Sequence, residues 1–377
     1  MMGAQGCDSD AFRAGWLART LTTYRRMTMW VCLLLTVLIL LVGLSDSPAQ
    51  LSDKRPVSQS PLTTNHALAP PKGVDWNNVG AFWQTGPDRY NWDGIASDLA
   101  DMRRAQITWA RLDLRYGPPL TFYDKLVSLA RSYRIHLLFI VHKAPPEDDL
   151  GTTSQQLRSD QWLVSIVDRY KDDVKTWECL NEPNLPGFWN INVAASDAAY
   201  NLSAYKYVLY LEQCYQTIKG QDPTATVLLG GLSEAHSQRF LQQLLVDKAY
   251  RYFDGLSFHP YAQDPTAVID TVDTLRLFVA RDPRFRAKSI WITEVGFQHE
   301  PNWTRIPSFV PSEQQKAEYL TQTMEQLRRD GVTEPIFWYT LHEGSVVNGF
   351  GLERKDPATL QTTYLPAFYA YQHLWSG

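Results

Sequence analysis

The stretches Ile135–Val141 (IHLLFIV) and Val174–Leu180 (VKTWECL) decide the fold class of this chain of 377 residues. The first is almost continuously apolar, as expected of a strand that is buried on both faces. Arg158–Tyr170, which lies between them, has the apolar spacing of an amphipathic helix. A strand, a helix and a second strand in this order are typical of an α/β fold with a mostly parallel sheet.

The same alternation continues from Lys72 to the C-terminus and gives eight strand–helix pairs, which fits a (β/α)8 TIM barrel. An open, doubly wound sheet is the alternative, but the Gly-rich phosphate loop that it needs after its first strand is absent. The predicted strands are Val79–Phe82, Thr108–Leu114, Ile135–Val141, Val174–Leu180, Thr226–Gly230, Gly255–Phe258, Ser289–Thr293 and Pro335–Thr340.

A hydrophobic helix and a disordered linker are predicted before the barrel. Residues 27–45 carry no charge, and arginines precede them while acidic residues follow, which predicts that the N-terminus stays inside and the barrel is exported. Two interpretations stay open: an uncleaved transmembrane anchor, or a signal segment that is cleaved near Ser47-Pro48-Ala49. In the first case the catalytic domain is membrane-anchored outside the cytoplasm, and in the second it is secreted.

The predicted domain organisation has four parts. Residues 1–26 form a short cytoplasmic leader, 27–45 the anchor or signal segment, 46–71 a Ser/Pro-rich linker, and 72–377 the barrel. The linker has too few large apolar residues to fold. Of the four cysteines, only Cys179 and Cys214 lie in the barrel, and the sequence does not decide whether they pair.

Composition excludes several classes of function. The chain has 36 Lys+Arg against 40 Asp+Glu, a net charge of -4, which gives no support to a nucleic-acid partner. No C-x-x-C or H-E-x-x-H motif is present, so neither a metal site nor a cofactor is predicted. Aromatic residues make up 12% of the chain, and such side chains stack on ring-shaped ligands. The oligomeric state is not predicted.

Polar residues stand where the predicted strands end, and the chemistry of a TIM barrel gathers at those ends. Two of them, Glu182 and Glu294, are carboxylates on the fourth and seventh strands, and a carboxylate at the end of a buried strand is costly unless it is used or paired. The others are Arg111, His142, Asn181, His259, Tyr261 and Trp338.

A pair of carboxylates in contrasting environments is what the cleavage of a glycosidic bond requires. One must hold a proton for the leaving oxygen, and the other must be ionised to attack the anomeric carbon. A cation such as Arg111, or a donor such as Tyr261, keeps one carboxylate charged, whereas burial keeps the other protonated.

Three motifs, WECLNEPN, FHPY and WITEVGF, in this order, resemble those of the retaining glycoside hydrolases of clan A, with families 39 and 5 as the most similar. The resemblance extends over residues 72–377. It implies a hydrolase of O-glycosyl bonds that acts on oligo- or polysaccharides, with β linkages favoured, through two displacements and a covalent glycosyl-enzyme intermediate.

The resemblance also implies a role for each residue. Glu182 is the general acid/base and Glu294 the nucleophile, while Asn181 binds the sugar 2-hydroxyl. Tyr261 and Arg111 orient Glu294. The remaining predicted substrate-binding or supporting residues are His142, His259 and Trp338, of which Trp338 forms the floor of the subsite.

Two alternatives remain open at this point. A non-catalytic carbohydrate-binding barrel would have the same fold, although neither carboxylate is lost here. A transglycosylase would use the same residues and differ only in how well the site excludes water.

Overall fold

The computed structural model describes residues 69–375, apart from 78, 88, 116–118, 143–152, 190, 193, 300–307 and 344–348. For residues 153–160 it describes the backbone alone. The predicted leader, the apolar segment and nearly all of the predicted linker lie outside the described residues. No helix in the described part is long and apolar enough to cross a membrane.

Eight parallel strands form a closed barrel, so the predicted fold class is confirmed. Each strand pairs with the next along the chain, and the last pairs with the first through the register Lys72↔Ile336. The strands are β1 (Lys72–Asp75), β2 (Trp109–Leu114), β3 (His136–Val141), β4 (Thr176–Asn181), β5 (Thr226–Ser233), β6 (Gly255–His259), β7 (Ser289–Val295) and β8 (Ile336–Trp338).

One main helix follows each strand, as the amphipathic spacing predicts. These helices are α1 (Trp92–Arg104), α2 (Leu120–Ser132), α3 (Thr153–Tyr170), α4 (Asp197–Gln221), α5 (Ser237–Val246), α6 (Pro265–Ala280), α7 (Glu313–Arg329) and α8 (Pro366–His373). The minor elements are the short helices Val79–Phe82 and Pro283–Arg286, the 3-10 turn Ala249–Arg251, and two hairpins, Gln84–Gly86 with Arg89–Tyr90 and Glu353–Lys355 with Thr362–Tyr364.

The prediction of Val79–Phe82 as the first strand is wrong. This segment is a single helical turn, in which the Trp83 amide donates to the Val79 carbonyl at 3.1 Å. The first strand is instead β1, with the sequence KGVD, whose four residues are all buried. This strand was not recognised because it has few apolar residues. Lys72 and Asp75 are buried through specific polar partners rather than through hydrophobicity.

A small apolar cluster inside the barrel lies below the mouth. Leu138, Leu228, Trp291 and Phe337, from four different strands, pack together there, with Trp109 against them. A Cβ atom on Gly73 would lie 2.6 Å from the Phe337 ring, so the first strand must carry a glycine at this level. The cluster closes the lower half of the barrel, and it leaves the carboxyl ends of the strands for polar groups.

Cys179 and Cys214 form a disulfide bond, which answers the question that the sequence left open. The bond joins β4 to α4 with an S–S distance of 2.06 Å. Both residues are buried. The cross-link holds the strand that carries Asn181 against the helix that covers it.

A buried polar network ties the segment after β8 to α1. The Asp98 carboxylate accepts hydrogen bonds from the indoles of Trp76, at 3.0 Å, and Trp83, at 2.7 Å. The Lys355 ammonium lies 2.8 Å from Asp98 and 3.2 Å from Glu353. Buried charges are stable only when they are paired in this way.

Glu353 makes the stability of the fold depend on pH. Burial raises the pKa of its carboxyl to about 7, more than His342 and Lys355 lower it. In the unfolded chain a glutamate titrates near ~4.3, so between these values only the folded state holds the proton. The free energy of unfolding therefore falls as the pH rises through this window.

We expect Glu353→Gln, which is neutral at every pH, to lose this dependence. Its free energy of unfolding relative to the wild type should rise by roughly 2–3 kcal/mol between mildly acidic and mildly alkaline pH. Urea unfolding across that range measures it. Glu318→Gln, at an exposed position of α7, is the control and should show no such rise. A constant difference between Glu353→Gln and wild type would contradict the prediction.

Candidate active site

The centre of the site is the guanidinium group of Arg111, which is fully buried in β2. Its nitrogens lie 2.5 Å from Asp75, 2.6 Å from Glu294 and 2.7 Å from Glu178. Its Nη2 also donates to the Asn181 side-chain oxygen at 2.7 Å. One cation therefore brings together side chains from β1, β4 and β7. The sequence predicted that Arg111 and Glu294 act together, and the structure places them in direct contact.

Glu294 is held ionised by its surroundings. The Tyr261 hydroxyl donates to Glu294 Oε2 at 2.8 Å, and Arg111 contacts the other carboxylate oxygen. Burial alone would raise the pKa of Glu294, but His259, Arg111 and the hydrogen bond from Tyr261 outweigh it, and the pKa lies below its ordinary value.

His259 joins the two predicted catalytic carboxylates. Its Nδ1 lies 3.1 Å from Glu182 Oε1 and 3.6 Å from Glu294 Oε2, and its Nε2 lies 3.0 Å from the Thr293 hydroxyl. Burial lowers the pKa of the imidazole, but Glu294 and Glu182 together raise it by more. The pKa of His259 therefore lies above its ordinary value. One nitrogen of His259 thus contacts both Glu182 and Glu294.

The backbone around Glu182 is unusual. Glu182 has a φ of 41° and Leu180 a φ of 80°, which is the left-handed region that L residues with a side chain seldom adopt. The Glu182 amide is anchored by the Gly231 carbonyl at 2.8 Å. A Cβ atom on Gly231 would lie 2.2 Å from His259 Nε2, so a glycine is needed there. Local strain of this kind persists where tertiary contacts enforce it.

Two predicted residues lie at the mouth with different partners. The side-chain oxygen of Asn181 accepts a hydrogen bond from Arg111, so the amide nitrogen of Asn181 is available as a donor. His142 follows β3, and its Nε2 lies 2.7 Å from Asp113. Asn181 therefore belongs to the carboxylate cluster around Arg111, whereas His142 contacts a different acid, Asp113.

The structure does not support the prediction that Trp338 is the floor of a subsite. Trp338 is completely buried, and its indole donates to the Phe350 carbonyl at 3.0 Å. Successive residues of a strand point to opposite sides, so the next residue faces the site. Tyr339 packs edge-on against Tyr261, with ring centroids 6.3 Å apart. Burial raises the pKa of Tyr339, and the nearby charge of Glu294 raises it further.

Neither Asp75 nor Glu178 was among the predicted site residues. Glu178 lies fully buried in β4. Its carboxylate accepts hydrogen bonds from Arg111 and, at 2.7 Å, from the Gly231 amide. Burial raises the pKa of Asp75 well above its ordinary value, more than Arg111 lowers it, and the charge of Glu294 adds to the rise. A signal for Glu178 existed, since an acid within a buried strand needs a partner. Asp75 was hidden because β1 was not recognised.

One other cluster has the composition of a metal site. Among the described residues, Asp98, His342 and Glu353 bring one potential ligand atom each within 4.8 Å of one another. The ammonium group of Lys355 already lies at hydrogen-bond distance from Asp98. A cation of the protein itself therefore neutralises this cluster.

A comparison with protein families gives a match over residues 152–359 to the glycosyl hydrolase catalytic core. The match covers more than half of the chain. The chain belongs to the glycosyl hydrolase catalytic core family. In this catalytic core the matched region includes β4 to β8, and therefore Glu182, His259 and Glu294. A search of curated proteins gave no match.

Solved structures share the fold of this catalytic core. A calcium-binding mutant of Bacteroides uniformis beta-glucuronidase 2 aligns with a TM-score of 0.60 and 12% identity over 81% of this chain and 34% of that one. The virulence factor SghA from Agrobacterium tumefaciens aligns with a TM-score of 0.58 and 14% identity, over 81% and 96%. A GH2 beta-galacturonidase from Eisenbergiella tayi aligns at 0.56 and 13%, over 81% and 50%. The chain thus spans about a third of the first and half of the last.

Tyr261→Phe tests the electrostatics of this site. The substitution removes a hydrogen bond to the charged form of Glu294, so we expect the pKa of Glu294 to rise. Carbon-13 NMR titration of the glutamate carboxyl signals measures it, with Glu294→Gln to assign the signal. Tyr339→Phe is the matched control, because it removes a neighbouring hydroxyl that makes no hydrogen bond with Glu294. An unchanged or lowered pKa in Tyr261→Phe would show that this hydroxyl does not stabilise the ionised carboxylate.

Proposed function

We propose that this chain is a retaining glycoside hydrolase that cleaves β-linked O-glycosidic bonds of oligo- or polysaccharides. Glu294 acts as the nucleophile and Glu182 as the general acid/base. The observation that carries the proposal is the position of His259, which contacts both carboxylates through one nitrogen.

The environment of Glu294 suits a nucleophile. Its pKa is lowered, so the carboxylate is ionised at neutral pH and can attack an anomeric carbon. Tyr261 and Arg111 bind one oxygen each, which orients the carboxylate. The attack forms a bond between a Glu294 oxygen and the anomeric carbon, while the bond from that carbon to the leaving oxygen breaks.

The environment of Glu182 suits an acid/base. It stands beside His259 and is slightly more exposed than Glu294, with 12% of its side chain accessible against 8%. A carboxyl group that opens to the cleft can give its proton to the leaving oxygen. It can then take a proton from the water that hydrolyses the glycosyl-enzyme.

The separation of the carboxylates is consistent with retention. Glu182 Oε1 and Glu294 Oε2 lie 3.1 Å and 3.6 Å from the same nitrogen, so they are no further apart than the sum of these distances. That limit is near the lower end of the ~6.5–9.5 Å of inverting enzymes, and it accommodates the ~5–5.5 Å of retaining ones.

Several neighbouring groups are suited to bind sugar. The amide nitrogen of Asn181 is a donor for the 2-hydroxyl of the ring that is cleaved. Tyr339 offers an aromatic face in the place that Trp338 was expected to fill. His142 is half-buried at the mouth and contributes a further polar group.

We also propose that the barrel acts outside the cytoplasm. The buried Cys179–Cys214 disulfide is typical of proteins that fold in an oxidising compartment. It agrees with the orientation predicted from the charges around residues 27–45. Whether that segment remains as an anchor or is cleaved decides between a membrane-bound and a secreted enzyme.

The test is an assay of the full chain against a panel of 4-nitrophenyl β-glycosides and β-linked polysaccharides, with Glu294→Ala and Glu182→Ala in parallel. We expect wild type to release a product that retains the β configuration, as read by NMR. Glu294→Ala should lose turnover and regain it with azide, giving an α-glycosyl azide. Glu182→Ala should slow substrates with poor leaving groups by about 10²–10⁴-fold. Glu334→Ala, a half-buried carboxylate just before β8, should retain activity.

Three outcomes would overturn the proposal in different ways. Inversion of configuration would remove the nucleophile role of Glu294. Binding of glycans without turnover, unchanged in both variants, would favour the carbohydrate-binding barrel. Transfer to an added alcohol in excess of hydrolysis would favour a transglycosylase.

A further inference from the structure

We propose that Tyr207, on α4, is a positioning residue for Glu182. Its hydroxyl group joins β4 to β5 just before the Asn181-Glu182 pair and so sets where the Glu182 carboxylate stands. Tyr207 acts through the backbone, not on substrate. The proposal rests on the acid/base role proposed for Glu182.

The pairing of β4 with β5 is interrupted at this point. The register runs from Cys179↔Leu229 directly to Asn181↔Gly231. Leu180, in between, has a φ of 80°, which turns its peptide away from the regular ladder. A polar group that bridges the strands here stabilises a conformation that the backbone alone disfavours.

Tyr207 supplies that group. Its hydroxyl donates to the Cys179 carbonyl at 3.0 Å and accepts from the Gly230 amide at 2.9 Å. A hydroxyl can do both at once, so a single side-chain oxygen joins the two strands. Burial raises the pKa of Tyr207 well above its ordinary value, so the hydroxyl keeps the proton that it donates.

The bridge lies next to the anchor of Glu182 on both strands. The Glu182 amide donates to the carbonyl of Gly231, the residue directly after Gly230. A Cβ atom on Gly230 would lie 2.6 Å from the Cys179 carbonyl oxygen and 3.0 Å from the Tyr207 hydroxyl. The groups are packed so closely that a shift of the hydroxyl moves the strand end.

The Tyr207 ring has little freedom to move. It is fully buried and packs against the rings of Trp189, Tyr210 and Phe240. The same helix is bonded to the same strand residue a second time, through the Cys179–Cys214 disulfide. Cys179 therefore meets α4 at its carbonyl oxygen and at its sulfur.

The test compares Tyr207→Phe with Tyr210→Phe in the full chain. Tyr210 lies on the same helix, is buried, and donates its hydroxyl to the Val141 carbonyl at 2.6 Å, on β3. Each variant removes one buried hydroxyl. Tyr210→Phe leaves one backbone group without its partner and Tyr207→Phe leaves two, so both should lose stability, Tyr207→Phe the more. Only Tyr207→Phe removes a bond next to Glu182.

The first readout is the dependence of the rate on the leaving group. General acid catalysis matters for a phenyl glycoside and hardly at all for a 2,4-dinitrophenyl glycoside of the same sugar. We expect Tyr207→Phe to lower kcat for the phenyl glycoside by roughly 10- to 100-fold and to leave the dinitrophenyl glycoside almost unchanged. Tyr210→Phe should change both substrates by the same factor. On a Glu182→Ala background, Tyr207→Phe should have no further effect.

The second readout needs no substrate. We expect backbone amide exchange, followed by mass spectrometry, to speed up at residues 180–182, 184 and 230–231 in Tyr207→Phe beyond the change in Tyr210→Phe. Equal losses on both glycosides, or equal exchange in the two variants, would overturn the positioning role. If wild type cleaves no glycoside, the proposed function fails, whereas the exchange experiment still decides whether Tyr207 holds this strand end.

Discussion

The ion-pair cluster around Arg111 is the constraint on which the rest of the site depends. One buried guanidinium is shared by Asp75, Glu178 and Glu294, so the negative charge exceeds the positive charge that Arg111 alone supplies. The excess is relieved at two places: Asp75 binds a proton more readily, and His259 has a raised pKa. Removing one partner of such a cluster leaves an uncompensated buried charge, which costs far more than the pair contributes. The ionised state of Glu294 is therefore a property of the whole cluster.

The fourth strand combines two demands that conflict locally. It must continue the barrel ladder, and it must also turn its last residues so that Glu182 reaches the mouth. The left-handed conformations of Leu180 and Glu182 achieve the turn, and contacts from outside the strand stabilise it. Those contacts come from α4 through a hydroxyl and a disulfide, and from β5 through the two glycines that allow close approach. A helix on the outer surface thus shapes the inner site.

Much of this arrangement follows from sequence, because parallel strands present their carboxyl ends at the same edge of a barrel. That rule is enough to predict that Arg111, Glu182 and Glu294 lie together. The prediction from sequence failed where the hydrophobic pattern of a strand was weak. The polar β1 was overlooked, and with it Asp75. Trp338 was named from the family resemblance, but it is completely buried, and the next residue, Tyr339, lies beside Tyr261. The role of Tyr207 left no local signal, since its partners are backbone atoms of the two strands that flank α4 in the chain, and a backbone partner leaves no mark on the residue type.

The seam of the barrel joins residues from the two ends of the fold. Lys72 pairs with Ile336, its ammonium group donates to the Tyr371 carbonyl at 2.8 Å, and the Tyr371 hydroxyl donates to the Gly73 carbonyl at 2.7 Å. A ribosome that makes this chain must therefore release nearly all of it before β1 acquires its second neighbour. Until then β1 and the strand most recently made are open sheet edges, which readily pair with other chains. The period between synthesis of the first strand and closure of the seam is when a nascent chain of this design is most exposed to aggregation.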